Sequence, residues 1–152
     1  LSTYAICSAP IDKKMVWPNR SLIWETAEPY LYMRTTKDNR LIVGGEDEDF
    51  QNPDKRDDLL RAKIRTLERK FSRLYPEIEF NTEMAWCGTF SSTNDGLPYM
   101  GPWKKGDRTL FALGYGGNGI TFSMVAAQVL KNIILNQKDS RLETFGFDRP
   151  TK

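Results

Sequence analysis

Four glycines, Gly114, Gly116, Gly117 and Gly119, stand between an apolar run at residues 109–113 (TLFAL) and a second apolar run at residues 121–135. That order predicts a strand, a glycine-rich turn and a helix. Glycines let a backbone approach a ligand closely, and a helix N-terminus presents N–H groups without intrahelical partners, together with a partial positive charge. The chemistry such a turn can do is to hold an anion, or to stabilise negative charge as it develops on a bound group. A tight turn that merely connects two packed elements is an equally open reading of the glycines alone. The turn is not read as a phosphate-binding loop, because no Lys followed by Ser or Thr comes after it. Nor is it read as a dinucleotide fingerprint with its later acidic ribose partner.

Other chemistries are thinly represented. There is no histidine in the 152 residues, which removes His-based triads, proton relays and most zinc or iron sites. The two cysteines, Cys7 and Cys87, form no CxxC motif. No catalytic side chain and no metal site are expected. Asn94, Asp95 and Gly96 read as a turn in which Asp95 bonds back to nearby backbone. The acidic run Glu46, Asp47, Glu48, Asp49 lacks the alternating ligands and central glycine of a calcium loop, and reads as a solvated loop. Trp24, Tyr30, Tyr32 and Trp86 fall on expected strands, where aromatics more often pack a core or sheet than line a pocket.

The positioning elements follow from periodicity. Residues 4–11 and 22–25 are short apolar or alternating runs bounded by prolines, as strands would be. Residues 30–35 and 40–45 flank the polar turn Thr36, Lys37, Asp38, Asn39, which predicts a hairpin with a four-residue loop. After Pro53 and Asp54, Leu60, Ile64, Leu67, Phe71 and Leu74 recur at spacings of four, three, four and three, giving a helix with one apolar stripe and with Arg61, Lys63, Arg65, Glu68 and Arg69 off it. Pro76 ends that run. Residues 78–90 return to strand composition, and the strand at 109–113, apolar without alternation, reads as buried on both faces of a parallel or mixed sheet.

Hydrophobic residues make up 39% of the chain and charged residues 28%, so a globular domain with a sizeable core is expected. With 22 Lys and Arg against 20 Asp and Glu, the net charge of +2 gives no electrostatic reason to propose nucleic acid or an anionic membrane as partner. No apolar run reaches membrane-spanning length. Few cysteines suit a reducing compartment, so a cytoplasmic location is expected. The chain opens on Leu1 rather than Met, which suggests a piece of a longer protein.

Taken in order, these pieces resemble the D-amino-acid oxidase and glycine oxidase superfamily of FAD-dependent oxidoreductases. The resemblance is carried by a hairpin ending in NRLIVGG at residues 39–45, an amphipathic helix, a tryptophan-glycine strand leading to TNDGLPYMG at residues 93–101, and GYGGNGI at residues 114–120 running into the last helix. It extends down to the Phe147, Asp148, Arg149 tail. It implies an α+β chain: a mixed, largely antiparallel sheet of a substrate domain with a covering amphipathic helix over residues 1–105, and a strand, glycine turn and helix over residues 106–152 that return to complete a flavin-binding domain. In the family the fingerprint for the ADP part of FAD lies near the N-terminus, where this chain shows none. The N-terminal FAD-binding half is therefore an expected missing partner, and the piece alone is expected to be inactive and to self-associate through apolar surface.

The resemblance also assigns residues. Backbone N–H groups of Gly116, Gly117, Asn118, Gly119 and Ile120, with Thr121 beside them, would face the pyrimidine edge of the flavin. Tyr30 falls where the family places a tyrosine near the substrate carboxylate. Phe90 stands where amino-acid oxidases of the family often carry an arginine that holds that carboxylate. Its apolar ring shifts weight toward an amine, an N-substituted amino acid or a bulkier substrate, and Arg34 is a candidate source of the lost charge. The implied reaction is oxidation of a C–N bond in a small amine or amino acid by hydride transfer to flavin. The rival readings are a non-enzymatic binding domain, or a flavoenzyme of the same fold acting on N-methyl or C–O substrates.

Overall fold

Strand β1 (Ser2–Ser8) is the axis on which the first half of the chain is built, and the computed structural model in which it is seen describes residues 1–150. The chain parts into two compact units, residues 1–89 and 90–152. Strand β6 (Tyr99–Pro102), unforeseen in the sequence, pairs with β7 (Leu110–Leu113) rather than joining the first sheet.

In the first unit β1 is joined by β2 (Ile23–Trp24), β3 (Leu31–Thr35), β4 (Leu41–Glu48) and β5 (Thr82–Thr89) in the order β2-β3-β4-β1-β5. All of its ladders are antiparallel. The β3–β4 hairpin closes through the expected turn, with Thr36 N–H donating to Arg40 O at 2.9 Å and Asn39 in the left-handed region at φ 61°. Cys7 and Cys87 are both free.

Helix α1 (Pro53–Leu74) covers one face of this sheet. Asn52 caps it by accepting from Lys55 N–H at 2.9 Å, Pro53 occupies the first turn, where its missing donor costs nothing, and Asp54 meets the positive end of the dipole. Leu67 and Phe71 are fully buried against Tyr4, Ile6, Leu31, Met33, Leu41 and Val43, each such side chain contributing about 1.5–3 kcal/mol by removal from water. Leu74, expected on the stripe, is 54% exposed, because the helix ends at its position.

Two expectations fail here for one reason. The acidic run is not a solvated loop, since β4 continues through Glu48, and Lys63 is not off the buried stripe, since it is 9% exposed. Gly45 (φ 129°) and Glu46 (φ 55°) form an irregularity that shifts the β1–β4 register between Ser2 and Tyr4. A Cβ on Gly45 would stand 2.1 Å from Tyr30 O, so only glycine fits. The irregularity turns Glu46 toward the helix, where Lys70 pairs with it, while Lys63 donates to Glu46 O at 2.8 Å and pairs with Glu48 at 2.6 Å. A lone buried lysine would be costly; the Glu46 carbonyl, the Glu48 carboxylate and, at 3.8 Å, the Glu46 carboxylate make this one tolerable.

The second unit packs β6, β7, helix α2 (Gly119–Ile134) and the short helix α3 (Leu142–Phe145) around Met100, Ala126 and Val129. Strand β7 is not buried on both faces within this chain. Its ladder partner is antiparallel β6, and Leu113 is 49% exposed. A short apolar run carries no record of how many neighbours it will have. Arg149, 8% exposed, fixes the turn before β6: it bonds Asp95 through Nε and Nη2 at 2.8 and 2.9 Å, Pro98 O at 2.6 Å and Leu97 O at 2.7 Å, and lies 3.7 Å from the Tyr99 ring centroid. Asp95 also bonds back to Leu97 N–H, as its turn chemistry predicts, and Arg149 holds its carboxyl down at about 2.

Candidate functional site

Alternation along the strands of the first unit sorts side chains onto two faces. Tyr4, Ile6, Leu31, Met33, Leu41 and Val43 meet α1; Ala5, Cys7, Tyr32, Arg34, Ile42 and Gly44 point the other way. The register sets one row across that second face: Trp24, Tyr32, Gly44, Ala5, Trp86. Large rings stand at both ends of the row and small residues at its middle. A Cβ on Gly44 would lie 2.4 Å from the Tyr32 ring tip, so the glycine is what allows that ring to lie flat on the sheet. Trp24 is 63% exposed and Trp86 45%, so neither packs the core as the sequence suggested. Together these residues make an open aromatic surface.

Tyr30, the predicted substrate-side tyrosine, sits at the edge of this surface, its ring 6.2 Å from Trp24 and 6.1 Å from Tyr32. Its hydroxyl is pushed up to about 12, first by burial, then by the charge of Asp47 and a hydrogen bond to it. Burial and the same carboxylate raise Tyr32 as well. Both phenols therefore stay protonated at neutral pH. Arg34 is exposed on the same strand face, opposite Ile42. Phe90, the third predicted substrate residue, is half-buried and opens the second unit directly after β5. Asp47 was missed by sequence reasoning. The signal available was the pairing of Glu46 and Glu48 with Lys63 and Lys70, seven apart on α1, which leaves the acid between them facing away.

The second predicted site heads α2. Gly114 and Gly116 have positive φ, Gly116 to Asn118 form one turn of 3₁₀ helix, and α2 starts at Gly119. Gly117, Asn118, Ile120 and Thr121 are exposed, and nothing lies within 4 Å of where a Cβ would stand on Gly116, Gly117 or Gly119. Asn118 makes no side-chain cap, so the first-turn N–H groups of α2 are not satisfied by it. Two donors are used internally: Gly116 N–H bonds Ser91 O at 2.9 Å and Asn118 N–H bonds Tyr115 O at 3.2 Å. Gly117, Gly119, Ile120 and Thr121 are then the N–H groups best placed to meet an anionic edge.

One sequence reading needs correction. Residues 114–119 do satisfy the letters Gly-x-Gly-x-x-Gly, and Asp139 follows further on. The turn is nevertheless no dinucleotide-binding unit within this chain. Its strand has an antiparallel partner, no strand follows α2 among the described residues, and the Asp139 carboxylate is taken by Arg141 and Asn132. Among the described residues no cluster could hold a metal ion, and no helix is long and apolar enough to cross a membrane.

Residues 1–133 match a family described as FAD dependent oxidoreductase (DAO). The chain is 34% identical over 89 residues to a glycine oxidase of Bacillus licheniformis, a stretch covering 57% of this chain and 24% of that protein. It is 32% identical over 117 residues to the bifunctional protein ThiO/ThiG of Synechocystis, covering 75% of this chain and 17% of that one. In fold it is similar to glycine oxidase from Geobacillus kaustophilus, with a TM-score of 0.70 at 18% identity over 99% of this chain and 39% of the other. L-proline dehydrogenase from P. horikoshii gives 0.67 at 16% identity, over 95% and 38%. The chain thus spans no more than about a quarter of these curated relatives. The α+β fold with a largely antiparallel sheet is the glycine oxidase type.

Proposed function

This chain belongs to the DAO family of FAD-dependent oxidoreductases, and from that premise we propose that it supplies the substrate-side sheet and the flavin-facing turn of an enzyme that oxidises a C–N bond in a small amine or amino acid. The observation that carries the reading is the glycine turn at the head of α2, open to approach at Gly116, Gly117 and Gly119 and uncapped by Asn118. The residues present fit one edge of a flavin ring. The N–H groups of Gly117, Gly119, Ile120 and Thr121 would hold it there, and the helix dipole favours negative charge on that edge. When bound, FAD supplies a two-electron oxidant that takes up hydride from the carbon bearing the amine.

What the protein's own residues do is bind and orient. The aromatic surface of the first unit supplies the substrate wall, with Tyr32 as a neutral hydrogen-bond donor, Tyr30 bonded to Asp47, and Arg34 as a cation on the same face. Phe90, where a carboxylate-binding arginine is expected from the resemblance, favours a substrate that does not depend on that contact. The nucleotide portion of the cofactor is held by a part of the polypeptide outside these residues, which also covers Ile120, Met124 and Ile134, all more than half exposed. The test is the visible spectrum of the natively purified full-length protein during anaerobic titration with amines and amino acids. A flavin spectrum bleached by one substrate class is expected. A protein that neither carries nor takes up FAD overturns the proposal.

A further inference from the structure

Resting on that reading, we infer that the open sheet face of the first unit binds the cationic alkylammonium group of the substrate, with Asp47 as counter-charge and Trp24, Tyr30 and Tyr32 as the aromatic wall. The argument begins with the acids of β4. Glu46 and Glu48 turn to the helix side and are matched by Lys63 and Lys70. Asp47, between them, is turned to the opposite face and forms none of the ion pairs among the described residues. Its Oδ1 is buried and has no hydrogen-bond partner. The carboxylate takes the Tyr30 hydroxyl, but its buried Oδ1 is left without a donor, and that deficit is made good by a ligand carrying N–H donors and positive charge.

The surroundings select the same ligand. The Tyr30 hydroxyl is hydrogen-bonded to Asp47, and the three rings of Trp24, Tyr30 and Tyr32 form a continuous series with centroids 6.2 and 6.1 Å apart. Aromatic faces attract ammonium groups through the ring quadrupole, and the attraction strengthens where water is partly excluded. They offer nothing to an anion. The small residues Gly44 and Ala5 keep the neighbouring strands low, so a ligand can lie along the rings. An aromatic wall beside a carboxylate with one undonated oxygen is complementary to an alkylated amine.

The test uses the full-length, FAD-loaded protein and isothermal titration calorimetry with n-butylammonium and tetramethylammonium chloride, against 1-butanol and sodium butanoate. Both cations are expected to bind and the neutral and anionic analogues not to. Asp47→Asn should weaken cation binding about tenfold or more, Asp47→Glu should restore it to within about threefold, and Trp24→Ala should weaken it about fivefold, with circular dichroism unchanged in all three. Equal cation binding by wild type and Asp47→Asn, or tighter binding of glycine than of methylamine, overturns the inference. If no cation binds but a substrate still bleaches the flavin, this inference fails and the proposed function stands. If cations bind as expected and no amine or amino acid ever bleaches the flavin, the proposed function fails instead.

Discussion

The two faces of the first sheet are made by the same strands and obey different rules. The face under α1 is filled by Leu, Ile, Val, Met and Phe, and its charged residues are matched across the helix by Lys63 and Lys70. The opposite face carries rings at its ends, glycine and alanine at its centre, and in Asp47 an acid that pairs with no cation among the described residues. A core face is selected for closure, so its groups satisfy each other. The open face, on the inference that it binds substrate, is left with its requirements open. The period of two along β1, β3 and β4 lets one sequence serve both.

Breaking the covered face should give the largest effect. Phe71→Ala removes a fully buried ring packed on Phe80 and Tyr75, and a loss of about 4 kcal/mol is expected in urea unfolding of the full-length protein. Lys63→Ala leaves Glu46, 7% exposed, with Lys70 as its remaining cation and Glu48 without its lysine, and should cost about 3 kcal/mol. If Lys63→Ala instead proves neutral, the charge matching beneath α1 is ornamental, and the contrast between the faces rests on apolar packing alone. Trp24→Ala on the open face should change stability by no more than about 0.5 kcal/mol while it weakens ammonium binding, because its ring is 63% exposed. A Trp24→Ala loss as large as that of Phe71→Ala would erase the distinction.

The covered face was largely legible from the sequence and the open face was not. Leu60, Ile64, Leu67 and Phe71 recur with the helical period, and the period itself states which side is buried. The hairpin around residues 36–39 and the strand, turn and helix near Gly114 were legible for the same reason, since local spacing and turn chemistry determine them. Trp24 and Trp86 were read as sheet packing because an aromatic on a strand does not record whether another layer lies over it. Strand β6 escaped because Gly101 and Pro102 interrupt a run of only four residues. The acidic run was misread because its fate depends on Gly45, whose positive φ rotates the following residues and decides which acid meets the helix. Phe90, Tyr30 and Arg34 came from resemblance, and the proposed parts played by Tyr32 and Asp47 could be argued only once the strand register was known.

Arg149 gives the second unit a property that concerns time rather than energy. Its partners Asp95, Leu97 and Pro98 lie more than fifty positions earlier in the chain. On the ribosome, the turn that leads into β6 emerges and waits through the synthesis of β7, the glycine turn and α2 before the guanidinium that clamps it exists. Until then the Asp95 carboxylate lacks its guanidinium, and the turn is held by its own short-range bonds, Leu97 N–H to Asp95, Gly96 N–H to Thr93 O and the Thr93 hydroxyl to Leu97 O. The turn before β6 therefore acquires its last contacts only once position 149 has been made.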